Sequence, residues 1–243
     1  MLISCEEYYK QLHANCGHVL AESFSADVAG LHAASHSFAS DLEKWHGVLS
    51  IRPESVLIKA ALFEYQFSLL AVIQGQYRQA FMALRLSFEM LLAAVYLSAN
   101  ELKLRYWIRG EEDIVWNALI DQETGVLSRR FVKAFWEELA EEAPHYRAMG
   151  QAVYRECSEY VHGNAITQTA IGGQVLFQQA VFQDWHEKAK TIRLVSSFAI
   201  CARYVRLMDG TNRAELEGLL MDNLGHIPAV RSVLGAPTEQ ARG

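Results

Sequence analysis

Apolar positions recur along this chain at helical spacing almost throughout. Phe81, Leu84, Phe88, Leu91 and Val95 alternate steps of three and four, which lines them up on one helix face as a packing seam. The preceding stretch opens at Pro53, well suited to a first helical turn, and carries Val56, Ala60, Phe63, Phe67 and Leu70 on one side. Gly75 separates the two, so the pattern predicts an antiparallel helical hairpin with arms of roughly 20 residues. Ser98-Ala-Asn-Glu101 has the form of a capping box, from which a helix would restart and run to about residue 108. One unbroken helix fits the same pattern.

Residues 5–48 read as one or two helices with weaker patterning. Short amphipathic helices are expected over 112–120 and 128–142. Pro144 then opens a helix that stops at Gly163, in the position of a C-terminal cap. Residues 165–178 break the rhythm. Their sequence TQTAIGGQVLF alternates around Gly172-Gly173, which predicts a small β-hairpin or an irregular ordered loop. Helical period returns over 179–208 with Ile192, Val195, Phe198 (or Ala199) and Ala202 inward, followed by a short helix over 213–224 and a polar tail that reads as disordered. The expected fold is all-α. It comprises a helical extension over 1–50, an antiparallel helical bundle over 51–210 with the insertion near 165–178, and a C-terminal helix and tail over 211–243.

Composition narrows the chemistry. With 51% hydrophobic and 21% charged residues among 243, the chain is long enough to bury a sizeable core. A net charge of −6 argues against coating nucleic acid by overall positive charge, so phosphate chemistry would have to rely on a local cluster of Arg. Cys5, Cys16, Cys157 and Cys201 include no Cys-x-x-Cys pair, hence no zinc knuckle or disulfide framework is indicated. The N-terminus is too polar for a signal peptide, and the longest apolar run, 90–97, is far short of a membrane span. A reduced, cytoplasmic protein with no membrane association is the expectation.

The candidate chemistry sits in residues 154–164, YRECSEYVHGN. Arg155 and His162 are seven residues apart, about 700° around a helix, so they share a face with roughly 10 Å of rise between them. An imidazole moves protons near neutral pH, and a guanidinium holds a phosphate as charge builds on it. Those are the two needs of metal-free RNA cleavage. Ser158 and Glu159 lie between them, and Asn164 follows. The plain structural reading is a surface Arg155–Glu159 pair with His162 at a helix C-terminus. Arg85 and Glu89, four apart in an otherwise apolar helix, would either face the same cleft or form an ion pair that fixes helix register.

The hairpin YRQAFMALRLSFEML at 77–91, followed by a helix ending SEYVHGN, resembles the HEPN superfamily, small helical domains of bacterial toxins and defence proteins. The resemblance covers roughly residues 55–205. It implies an all-α fold, a two-fold homodimer and a catalytic cleft at the dimer interface. Many members are metal-independent endoribonucleases that use an Arg and a His separated by four to six residues. Here that motif falls on Arg155 and His162, with Ser158, Glu159, Asn164, Arg85 and Glu89 in support. The partners it implies are RNA, a second copy of the chain and an antitoxin or other regulatory protein; no cofactor or metal is called for. Glu156, directly after the Arg, departs from the family pattern and adds negative charge. Non-catalytic members bind a protein partner or RNA, which is the alternative function.

Other constellations are thinner. Glu43-x-x-His46 and Glu159-x-x-His162, with Glu64 and Glu89, form an inventory for a di-metal bundle, although their order along the chain is wrong for one. His32 and His36 share a helix face and read as solvent-facing. Arg105, Arg109, Arg129, Arg130, Lys133 and Arg147, with Trp107, Trp116 and Trp136, could guide RNA; singly, they read as mixed-charge surface and core tryptophans.

Overall fold

The computed structural model describes residues 3–24, 29–162 and 164–235. Its regular elements are all helical, with no strand among the described residues. They are α1 (Cys5–Ser23), α2 (Ala29–Leu49), α3 (Ser55–Ile73), α4 (Tyr77–Ser98), α5 (Glu101–Ile108), α6 (Trp116–Leu119), α7 (Arg129–Phe135), α8 (Ala143–Val161), α9 (Ala165–Ile171), α10 (Gln179–Tyr204), α11 (Gly210–Leu224) and α12 (Pro228–Val233). Single 3₁₀ turns follow α7 at Glu137–Leu139 and α10 at Val205–Leu207.

α4 is the central element, packed against α3, α8 and α10. Its seam of Phe81, Leu84, Phe88, Leu91 and Val95 is fully buried, as the spacing predicted. Each such side chain contributes on the order of 1.5–3 kcal/mol by leaving water. The turn to α3 is made at Gly75, whose φ of +73° is a conformation that favours glycine, with Val19 methyls 3.2 Å from where a Cβ would stand.

The two arms lie close because small residues face each other. Ser68 Oγ donates to the Ala80 carbonyl at 2.6 Å, and Ser87 Oγ donates to the Ala61 carbonyl at 2.8 Å. That contact decides which side of α3 goes in. Leu57, Ile58, Ala61, Tyr65 and Val72 are buried, while Val56, Phe63, Phe67 and Leu70 turn outward, Phe63 with 57% of its surface exposed. The stripe that the sequence reading singled out is therefore the outer one. α3 is apolar nearly all round, so periodicity could not choose its inner face. By length and composition α3 and α4 could each cross a membrane, but α4 is largely interior to the packed helices.

The second arm does break before residue 101, though not by the expected cap. The Ser98 hydroxyl donates back to the Val95 carbonyl, and Arg203 of α10 grips Ser98 through both its hydroxyl and its carbonyl. Residues 165–178 also differ from a β-hairpin. Asn164 accepts from the Ile166 N–H and Thr167 Oγ bonds the Glu159 and Asn164 carbonyls, so a short helix forms until Gly172 ends it. An irregular segment then leads into α10. Of the helices expected over 112–120 and 128–142, only α6, α7 and one 3₁₀ turn form. Gly163 and residues 236–243, hence its capping role and the tail, lie outside the described residues.

α8 reaches α4 and α10 through Gly150, where a Cβ would lie 3.3 Å from Val195 Cγ1 and 3.4 Å from Phe88 Cζ. Two substitutions test this packing by denaturant unfolding. Gly150→Val should cost about 1–3 kcal/mol by overpacking, and Phe88→Ala about 3–5 kcal/mol by the cavity it leaves. Wild-type stability in both would mean that α8 is not seated there.

Candidate functional site

α8 begins with Pro144 in its first turn and buries one stripe, Tyr146, Gly150, Val153, Cys157 and Tyr160. Tyr146 stacks on Phe198 at 4.0 Å and Tyr160 on Phe81 at 3.7 Å, so the helix is clamped to α10 and α4. At about 100° per residue, the direction opposite that stripe is the one taken by Arg155 and His162, which fall within about 20° of each other. Both are exposed, and the Arg155 side chain keeps 84% of its surface.

Arg155 Nε stands 3.8 Å from Glu159 Oε1, a loose surface pair worth at most a few tenths of a kcal/mol. His162 is the first residue beyond α8, held through its backbone N–H to the Ser158 carbonyl at 2.9 Å. Of the supporting residues, Ser158 spends its hydroxyl on the Tyr154 carbonyl and Asn164 caps α9. Glu156 turns away to Lys188 of α10 at 3.1 Å. Lys188 also meets Asp184, to which the Tyr160 hydroxyl donates. The negative charge beside Arg155 is thus taken up by a buried lysine. Burial alone would lower the proton affinity of Lys188, but Asp184 and Glu156 together raise it.

Arg85 and Glu89 face a different side of α8 from Arg155 and His162. Their direct separation is 3.9 Å, and Tyr154 bridges them: Arg85 Nη2 donates to Tyr154 Oη, which donates to Glu89 Oε1, both at 2.7 Å. The guanidinium also lies 4.5 Å over the Tyr154 ring, whose other neighbour is Trp116, stacked at 3.6 Å. Burial, then Glu89, pushes the Tyr154 phenol up to about 12. The trio fixes the register of α4 against α8. Arg85 and Glu89 also line an open groove of about 430 Å³ that runs past Glu64, Met82 and Leu86 to Val161, next to His162. Nothing in the spacing of the sequence marks Tyr154, because its two partners lie on another helix about 65 residues away.

Among the described residues no three His, Cys, Asp or Glu side chains converge as a metal site would need. Glu43, His46, Glu64, Glu89, Glu159 and His162 are therefore not gathered into one. The basic residues are largely paired on the surface, Arg105 with Glu101, Arg109 with Glu111, Arg129 with Glu141 and Lys133 with Glu137. Arg129, Arg130 and Arg147 do share one pocket beside Ser128. Trp136 is buried, and Trp107 and Trp116 pack against the core.

One histidine contradicts its sequence reading. His36 is exposed, but His32 is buried, its ring 4.3 Å from Phe24 and 5.2 Å from His186. His186 Nδ1 lies 2.6 Å from Ser35 Oγ, and the Nε2 atoms of both histidines make no hydrogen bond. The reason is packing between α2 and α10, which neither segment discloses alone.

No family model, curated protein or solved structure matches the chain.

The buried histidines make acid a specific stress. Burial, then His32, holds His186 down to about 3 against an ordinary 6.5. The folded state thus favours the neutral ring. Its contribution is complete above pH 6.5 and is lost as pH falls toward the folded value, by up to about 1.4 kcal/mol per pH unit. Thermal melts between pH 7.5 and 4.5 should show a steeper loss for wild type than for His186→Gln. Parallel curves would remove His186 from the acid response.

Proposed function

We propose that the chain is a HEPN-like helical bundle that dimerises and cleaves RNA without a metal, with Arg155 and His162 as its working pair. The observation that carries this reading is that both side chains stand on the face of α8 opposite its packing stripe, where neither serves the core. In the reaction, the ribose 2′-oxygen attacks the adjacent phosphorus as its proton passes to an imidazole. The P–O5′ bond breaks, a proton is delivered to the leaving 5′-oxygen, and a 2′,3′-cyclic phosphate remains. Arg155 holds the phosphoryl oxygens as they gain charge. One chain supplies one His for two proton transfers, so a second copy related by a two-fold axis completes the site.

The outward apolar stripe of α3, continued by Met82 and Leu86 of α4, supports such a pairing. It borders the groove that ends at Val161, so chains joined there bring two α8 ends toward one cleft. A toxin or defence setting, RNA as substrate and an antitoxin or regulatory partner belong to the same proposal. One observation favours the second reading, a non-catalytic module that binds a protein partner or RNA. Met82, Ala83, Leu86 and Val161 give the groove an apolar wall, and two of its three charged residues, Arg85 and Glu89, are already engaged with Tyr154.

Expressed side by side, wild type should arrest growth and fragment RNA, and His162→Ala should do neither. With purified protein, His162→Ala and Arg155→Ala should each lower cleavage by about 10²–10⁴-fold. Melting should barely move, because both residues are exposed. Cleavage should survive EDTA. Equal cleavage by His162→Ala and wild type would sink the mechanism. Separately, Phe63→Glu combined with Phe67→Glu should convert a dimer to a monomer in sedimentation and abolish cleavage; a dimer that persists would move the interface elsewhere.

A further inference from the structure

A second groove, of about 870 Å³, adjoins the one that ends at Val161, since Gln79 lines both. Its walls are α1, the turn from α3 into α4, and α9 with the loop that follows it. α9 begins at Ala165, so the chain leaving His162 builds one of these walls directly. Gly75, Gly172 and Gly173 line the groove without side chains, which keeps it open and leaves backbone within reach of an occupant.

Eighteen residues line this groove and none is Asp or Glu, in a chain whose net charge is −6. Elsewhere on the surface arginines are answered by carboxylates, as Arg105 is by Glu101 and Arg129 by Glu141. Arg78 has no such partner among the described residues. It stands in the first turn of α4, where the helix dipole adds to its pull on an anion. Six amides share the lining, and the side chains of Asn15, Gln79, Gln168 and Gln174 make no hydrogen bond to the described residues. On the α1 wall Tyr8 and Tyr9 keep 52% and 62% of their surface exposed. A wall without carboxylates admits phosphates, open rings offer stacking, and free amides present donors and acceptors together. Unpaired bases need all three, whereas a duplex keeps its ring faces and pairing edges to itself.

We propose that this groove holds a single-stranded segment of RNA, with bases stacked on Tyr8 and Tyr9, base edges met by Gln79 and Gln168, and a phosphate on Arg78. The proposal rests on RNA being the substrate of the α8 face, but not on the proton transfers assigned to His162. Continuity through Gln79 carries the strand from Arg78 to the end of α8. A peptide or a neutral glycan would use the amides and rings equally well. Neither would call for a lone guanidinium in a wall free of carboxylates.

Fluorescence anisotropy on the full chain with a labelled 2′-O-methyl oligonucleotide is the direct test, because a strand without a free 2′-hydroxyl binds without being cut. Wild type should bind the single strand about tenfold or more tightly than a duplex of the same sequence. Tyr8→Ala and Tyr9→Ala should each weaken binding about fivefold to hundredfold, the loss of one stacked base. Their melting temperatures should stay at the wild-type value, since both rings are exposed. Arg78→Gln should weaken binding for every sequence and lower the slope of log Kd against log salt by about 0.7, one phosphate contact. His162→Ala should bind as wild type does. No binding by wild type, equal affinity for the duplex, or full affinity in the variant carrying all three groove substitutions would overturn the proposal, even if His162 proved essential for cleavage. Tyrosine-dependent binding by a wild type that cuts nothing would uphold the strand site and overturn only the α8 chemistry.

Discussion

α4 is covered on three sides, and the close approach of α3 is the contact that sets the rest. Hydroxyls of Ser68 and Ser87 reach across to carbonyls of the opposite arm, while Ala61 and Ala80 let the backbones come near. A helix pair held this tightly has one register, because a shift of one residue would set a larger side chain against the facing backbone. With the register fixed, the remaining faces are assigned. The seam of Phe81, Leu84 and Phe88 points toward α8 and α10, and the bulky stripe of α3 is left outside. α8 follows through Gly150, and its seating turns Arg155 and His162 to the surface.

Around this apolar centre, buried polar groups act mainly as locks. Glu54 accepts from Arg52 and from Tyr204, joining the start of α3 to the end of α10. Lys188 is held by Asp184 and Glu156, and Arg203 by Ser98. Each satisfies groups whose burial would otherwise cost energy, and each ties elements distant in sequence. Arg193 likewise joins Asp41 and Ser37 of α2 to α10, whereas the His32–His186 pair keeps ring nitrogens without a hydrogen bond.

The parts legible beforehand were those with contrast. α4 carries large apolar residues on one side and Arg78, Arg85 and Glu89 off that side, so its seam could be read. α3 lacks that contrast, and its inward face could not be told from its outward one. Alternation around Gly172-Gly173 imitated a hairpin, whereas Asn164 as a helix cap and Thr167 on the Glu159 carbonyl decided for a turn of helix. His32 carried no mark of burial, since Phe24, Phe182 and His186 reach it only after folding. The bridge through Tyr154 likewise joins two helices well separated along the chain.

What the sequence determined by itself was the all-α class, the hairpin about Gly75, the start of α8 at Pro144, and the alignment of Arg155 with His162. These depend on spacing within a single segment, and local backbone geometry carries them. Only the tertiary structure decided which face of α3 meets solvent, that Glu156 is answered by Lys188, and that Arg85 and Glu89 meet through Tyr154 on another side of α8. The same holds for the groove that gathers Tyr8, Arg78 and Gln168. These are relations between segments, and the close packing that makes them is fixed by three-dimensional fit, for which spacing along one segment carries no information.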